Sequence, residues 1–139
     1  MTDYSGRPDL VVGDVAESGA LIDDGYVADT GGVTKGQAVY ISATGKVKPT
    51  TVSAEIAIGI ALKTCAAGAQ VPVLKHGKVK VTAGGAIGAG GTVRGSTAGK
   101  VIANPYAADI GMVDKNLGYR VDTTDTVADG DLILIEVTK

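Results

Sequence analysis

Apolar and polar residues alternate with a period of two along most of this chain, the pattern of strands with one buried face. Lys78–Ala83 (KVKVTA) is the clearest stretch: Val79, Val81 and Ala83 face one way, and Lys78, Lys80 and Thr82 the other. Gln37–Ser42 places Val39 and Ile41 on one face. Ala43-Thr44-Gly45 then reads as a turn, and Lys46–Lys48 as the return strand, ended by Pro49. Ile56–Leu62 carries Ile56, Ile58, Ile60 and Leu62 on one face. Its other face is Ala57, Gly59 and Ala61, small enough for another backbone to come close. Ala66-Ala67-Gly68 turns the chain into Gln70–Lys75, where Val71 and Val73 share a face. Pro72 has no N–H to donate, so this strand is expected at an edge or beside a bulge. His76-Gly77 reads as a hairpin tip. Further strands are predicted at Thr92–Arg94, Lys100–Ala103 and Ile110–Val113. The last, Asp131–Val137, is apolar on both faces at Leu132–Ile135 and so is expected to be central or doubly covered. Tyr106–Asp109 allows one helical turn at most, and no window has a helical period with caps.

The pattern occurs twice. Shifted by 54 positions, Gly31, Gly36, Val39, Ser42, Gly45, Lys46 and Val47 fall on Gly85, Gly90, Val93, Ser96, Gly99, Lys100 and Val101. A shift of 52 puts Ile58-Gly59 on Ile110-Gly111, and a shift of 62 puts Gly68, Val71 and Val73 on Gly130, Ile133 and Ile135. Duplicated short strands with glycines at fixed places predict an all-β fold, a compact barrel or sandwich of about ten short strands from two similar repeats. The repeats are read as 31–83 and 85–139, together the β-domain 31–139. Periodicity is poor over residues 1–30, which are read as an extended N-terminal arm with one short strand at most, at Leu10–Val12; a strand and loops folded back on the domain is the other reading. Fully stretched, 28 residues reach at most roughly 95 Å.

Composition sharpens this picture. With no Trp, no Phe and five Tyr, the core must be Val, Ile, Leu and Ala. Glycine, at 21 of 139 residues, fits many tight turns. A net charge of −2 supplies no basic surplus for nucleic acid, and no apolar run is long enough to cross a bilayer as a helix. The N-terminus has no apolar signal-peptide core, and the single Cys cannot form an internal disulfide, so synthesis in a reducing cytoplasm is expected.

Candidate chemistry is sparse. Cys65 has only His76 as a possible base, with no recognisable orienting acid, and reads as a small buried structural thiol. His76, flanked by Lys75, Lys78 and Lys80, reads as an exposed turn residue unsuited to holding a cation. The glycine-rich Gly84–Gly91 is followed by a strand, not a helix N-terminus, so it reads as a flexible link between repeats and not as a phosphate loop. Asp23, Asp24, Asp122, Asp125, Asp129 and Asp131 form no calcium-loop pattern and read as solvated turn residues. Lys115, on a predicted tip, lacks the flanking residues of a lipoyl or biotinyl acceptor. No catalytic residue, metal site or cofactor is expected. A soluble carrier or carbohydrate-binding module, and a hydrolase built on Cys65, are the competing classes.

The sequence resembles the capsid cement, or head decoration, proteins of tailed bacteriophages and related viruses. The resemblance rests on Gly32–Val39, Ile58–Leu62, Ala66–Gly68, Val71–Val73, Gly77–Val79 and Gly84–Ile87, partly repeated at Ile110–Val113 and Ala128–Ile133. It spans residues 31–139 and leaves out the arm. It implies a virion protein on the outer surface of an icosahedral shell, bound to the major capsid protein and to copies of itself, often as a trimer, without cofactor, membrane or nucleic-acid partner. Tyr4, Arg7, Pro8, Leu10 and Val11 of the arm are the residues expected to reach a neighbour.

Overall fold

The computed structural model describes residues 12–13, 20–52, 55–104, 116–122 and 127–139. The fold is all-β. Among the described residues nine strands make one sheet: β1 Leu21–Ala28, β2 Ala38–Ala43, β3 Lys46–Pro49, β4 Ala57–Ala61, β5 Gln70–Thr82, β6 Thr92–Gly95, β7 Val101–Ala103, β8 Gly118–Arg120 and β9 Leu132–Thr138. One 3-10 turn, Thr97–Gly99, is the helical structure among the described residues. The expected strand at Ile110–Val113 and turn at Tyr106–Asp109 lie outside them.

The sheet order is β1-β3-β2-β4-β5-β9-β8-β6-β7, and β1 also pairs with β5. That extra pairing closes β1, β3, β2, β4 and the first half of β5 into a five-stranded barrel. The second half of β5 starts another ring with β9, β8, β6 and β7. Its closure is the parallel bridge Ala83↔Val101, reinforced by Gly84 N donating to Val101 O at 2.7 Å. The first ring closes by the same device: β1 runs parallel to β3 with Ala28↔Val47, and Asp29 N donates to Val47 O at 2.9 Å.

The two barrels therefore share one topology, residue for residue. Val39↔Gly59 between β2 and β4 recurs as Val93↔Gly118 between β6 and β8. Ala61↔Val73 recurs as Arg120↔Ile135. Loop hydrogen bonds repeat as well: Gly68 N to Ala28 O and Gly130 N to Ala83 O are both 2.8 Å, and Leu62 N to Pro72 O and Val121 N to Leu134 O both 2.9 Å. The offsets of 54 and 62 hold. The offset of 52 does not, because Gly59 corresponds to Gly118 and not to Gly111.

Strand β5 corrects two expectations. His76-Gly77 is no hairpin tip: the strand runs through it for 13 residues, and Gly77, at φ +136°, marks where the chain leaves one barrel for the other. The link between repeats is thus β5 itself. Gly84–Gly91 is instead the loop entering β6, and Ile87 within it is buried as Val33 is in the first barrel. Pro72 lies beside a bulge and not at an edge, since β5 has neighbours on both sides. Asp23 pairs with Val73 and Tyr26 with Val71, so Asp24 and Gly25 together oppose Pro72.

Of residues 1–30, Leu21–Ala28 are a wall of the first barrel and not arm. Each repeat begins one strand earlier than the glycine pattern suggests, at β1 and at the second half of β5. Farther back, Val12 and Gly13 are also placed, with Gly13 N donating to Lys80 O at 2.7 Å.

Each barrel has its own lumen. The first is filled by Ala28, Val33, Val39, Val47, Ala61, Cys65, Val71 and Val73. Their counterparts in the second are Ala83, Ile87, Val93, Val101, Arg120, Val127, Ile133 and Ile135, all buried. β9 is central, between β5 and β8, as its two apolar faces predict, although Leu132 at its start is exposed. The outer face of barrel one at Ala38, Ala57, Ile60 and Leu74 joins the apolar cluster of barrel two, which binds the two units together.

Candidate functional site

Among the described residues, those singled out for chemistry do not converge. Cys65 is 6% exposed in the lumen of barrel one, its backbone paired with Val33 and its thiol donating to Gln70 O at 3.2 Å. Val127 fills the same place in barrel two. A Cys65→Val variant should therefore keep its urea midpoint within what about 1 kcal/mol would move it; a loss well beyond that would mean the thiol does more than fill space. His76 is exposed on β5, between Leu21 of β1 and Thr138 of β9.

The acidic residues hold turns and bulges. Asp23 Oδ1 accepts from Gly25 N at 2.8 Å, Asp131 Oδ2 from Ala128 N at 2.9 Å, and Asp129 pairs with Lys100 at 2.8 Å on the surface. Asp122 is different. One oxygen takes the guanidinium Nε of the buried Arg120 at 2.5 Å, and the other accepts from Leu134 N at 2.9 Å. Arg120 Nη1 donates to Ile87 O at 2.7 Å. Among the described residues no group of three or more His, Cys, Asp or Glu could hold a metal ion, and no helix is long and apolar enough to cross a membrane. Asp125 and Lys115 lie outside the described residues.

What the molecule does present is surface. One feature is a groove of about 210 Å³ between the barrels, walled by Thr34–Gln37 of barrel one and Ala98–Lys100 of barrel two, with Thr82 and Val12 completing it. Gly13 is wedged there at φ +86°; a Cβ on it would lie 2.4 Å from Lys35 Cγ and 2.8 Å from Gly36 N. The arm candidates Tyr4, Arg7, Pro8, Leu10 and Val11 lie outside the described residues; Val12, the next residue, lines this groove.

The second feature is exposed apolar residues on barrel one: Ile41 at 50%, Val52 at 52% and Ile56 at 48%. Ile41 lies within β2, paired with Val47 of β3, and Val52 and Ile56 flank β4's entry loop. Glu55 holds that loop by accepting from Thr51 N at 2.6 Å, Val52 N at 3.2 Å and the Thr51 hydroxyl. Burial works to raise the Glu55 pKa, but these bonds and one from Tyr40 outweigh it and set it below the ordinary value. A depressed pKa means the carboxylate's stabilisation of the loop is present above the usual glutamate range, ~4.3, and is lost as pH falls through the folded value. The Thr51 and Val52 amide shifts should therefore titrate together with a midpoint below ~4.3; a midpoint at or above it would contradict the assignment.

Sequence reasoning missed β1, whose alternation the Asp24-Gly25 bulge interrupts, and Arg120, which nothing local marks as buried. It also expected free strand edges, whereas ring closure leaves the described strands few. Comparison with known solved structures adds a likeness of fold. No family model and no curated protein matches the chain. A solved structure described as the head fiber gp8.5 N base in bacteriophage phi29 is similar, with a TM-score of 0.58 over 86% of this chain and 92% of that one, at 14% identity. At that identity the likeness is one of fold.

Proposed function

We propose that this chain is a virion structural protein that binds the outer surface of an assembled icosahedral capsid and stabilises it. The single observation that carries this reading is the shared fold: two fused barrels matching the base of a phage head fiber over most of both chains. The sequence resemblance to capsid cement proteins leads to the same role independently of that fold.

The physical properties suit such work. Two closed barrels are rigid, and ring closure leaves the described strands few edges through which crowded copies would aggregate. Adhesion then falls to side-chain surfaces and to the segment before Val12. Each contact is weak alone, but a repeating lattice multiplies it. The partners are the major capsid protein and neighbouring copies, as a trimer.

The test mixes purified protein with emptied, expanded shells and images them. Density at local threefold points is expected; bare shells at saturating protein would overturn the reading. Removing residues 1–11 while keeping Val12 and Gly13 should leave the unfolding transition unchanged and lower shell occupancy at least about tenfold. Unchanged occupancy would remove the arm from the mechanism. A cut at residue 25 would not serve, because it opens the first barrel.

A further inference from the structure

The contact between the barrels is directional, so in principle it can propagate. A row of buried residues in register across β2, β4 and β5, Ala38, Ile60 and Leu74, belongs to the apolar cluster shared with barrel two. Beside it the β6–β7 turn docks: Thr50 Oγ1 donates to Ser96 O at 2.6 Å, Gly99 N to Thr50 O at 2.9 Å, and Gln37 Nε2 to Ala98 O at 3.2 Å. The fit needs Gly95, where a Cβ would sit 2.7 Å from Thr50 Cγ2. Barrel one thus supplies a socket and barrel two a plug.

Because the barrels are equivalent, each chain carries one further copy of each half. The second socket is the row Thr92, Tyr119 and Glu136, in register across β6, β8 and β9, with Asn104 in the place of Thr50. The second plug is the β2–β3 turn, in which Ile41 takes the place of Gly95. Used as they stand, these halves would join chains head to tail, a contact that does not close and grows into fibres.

We infer that these replacements terminate the array at two barrels and forbid head-to-tail self-association. Polar atoms replace the apolar row at the socket: Ala38 becomes Thr92, Ile60 becomes Tyr119 and Leu74 becomes Glu136. Docking there would strip water from a carboxylate and a phenol without the apolar return that the first socket supplies. At the plug, Ile41 puts four carbons where even one would collide. Both ends are blocked by different means, as terminal repeats of stacked arrays are. The inference concerns open growth only and does not depend on the proposed capsid role; closed trimers through other surfaces are compatible with it.

The experiment restores each end in a separate chain. One carries Ile41→Gly, the other Thr92→Ala, Asn104→Thr, Tyr119→Ile and Glu136→Leu. Sedimentation velocity of each alone should match the unaltered protein. The equimolar mixture should form a one-to-one complex at concentrations at least about tenfold below any self-association of the unaltered chain. If the fourfold variant does not fold, Tyr119→Ile alone is mixed with the Ile41→Gly chain and should still bind measurably more tightly than the unaltered pair. Folded variants that fail to associate, or an unaltered chain that itself grows into long species, would overturn the inference.

Discussion

Replacing Arg120 by alanine should cost about 3–5 kcal/mol of folding stability, the cost of breaking a buried ion pair by removing one partner. The guanidinium is fully buried in the lumen of barrel two, where Ala61 stands in barrel one. It ties Ile87 O of the entering loop to Asp122, and Asp122 in turn accepts from Leu134 N. Alanine would leave a void, an unsatisfied carbonyl and a carboxylate without its counter-charge. Against a total stability of roughly 5–15 kcal/mol, that loss brings the domain near its unfolding threshold. The double change Arg120→Met with Asp122→Asn should recover much of it, because methionine refills the volume and the Asn carbonyl can still accept from Leu134 N. Urea unfolding at constant slope measures both. A single-variant loss under ~1 kcal/mol would show that the lumen tolerates the missing charge.

Gly118→Ala should be nearly as damaging, for a steric reason. A Cβ on Gly118 would lie 1.9 Å from Glu136 O, a backbone atom of the neighbouring strand. That carbonyl cannot retreat without parting β8 from β9 and opening the second barrel. We expect a loss of about 3 kcal/mol or more, in the range of forced overpacking and above. Gly85→Ala is the control: its added Cβ meets nothing within 4 Å, so the change should stay within ~0.5 kcal/mol. Gly59→Ala should repeat the large effect in barrel one, with a Cβ 2.3 Å from Leu74 O. Equal midpoints for the Gly118 and Gly85 variants would refute the account.

These two residues also mark where reading the sequence stopped. Alternation located β2, β3 and both halves of β5, since one buried face writes itself into every second residue. The small face of β4 correctly announced a close backbone approach, and Gly59 makes it. The matching glycine of the second repeat went astray at Gly111. Small apolar motifs are too common to fix an alignment, and what defines Gly118 is a carbonyl 18 residues away in sequence. Arg120 carries no local mark of burial for the same reason: its acid is two residues off, but the lumen that encloses it is built from four other strands.

Periodicity, repetition and composition are local properties, and they suffice to establish an all-β, duplicated chain whose core lacks large aromatics. Long-range contacts settle the rest: the closing of the sheet into two barrels, the passage of one strand through both at His76-Gly77, and an arginine in barrel two where barrel one holds an alanine. Each ring also needs a pairing between strands some fifty residues apart, β1 with β5 and β5 with β9. No window of sequence holds both partners of such a pairing, so folding alone settles it.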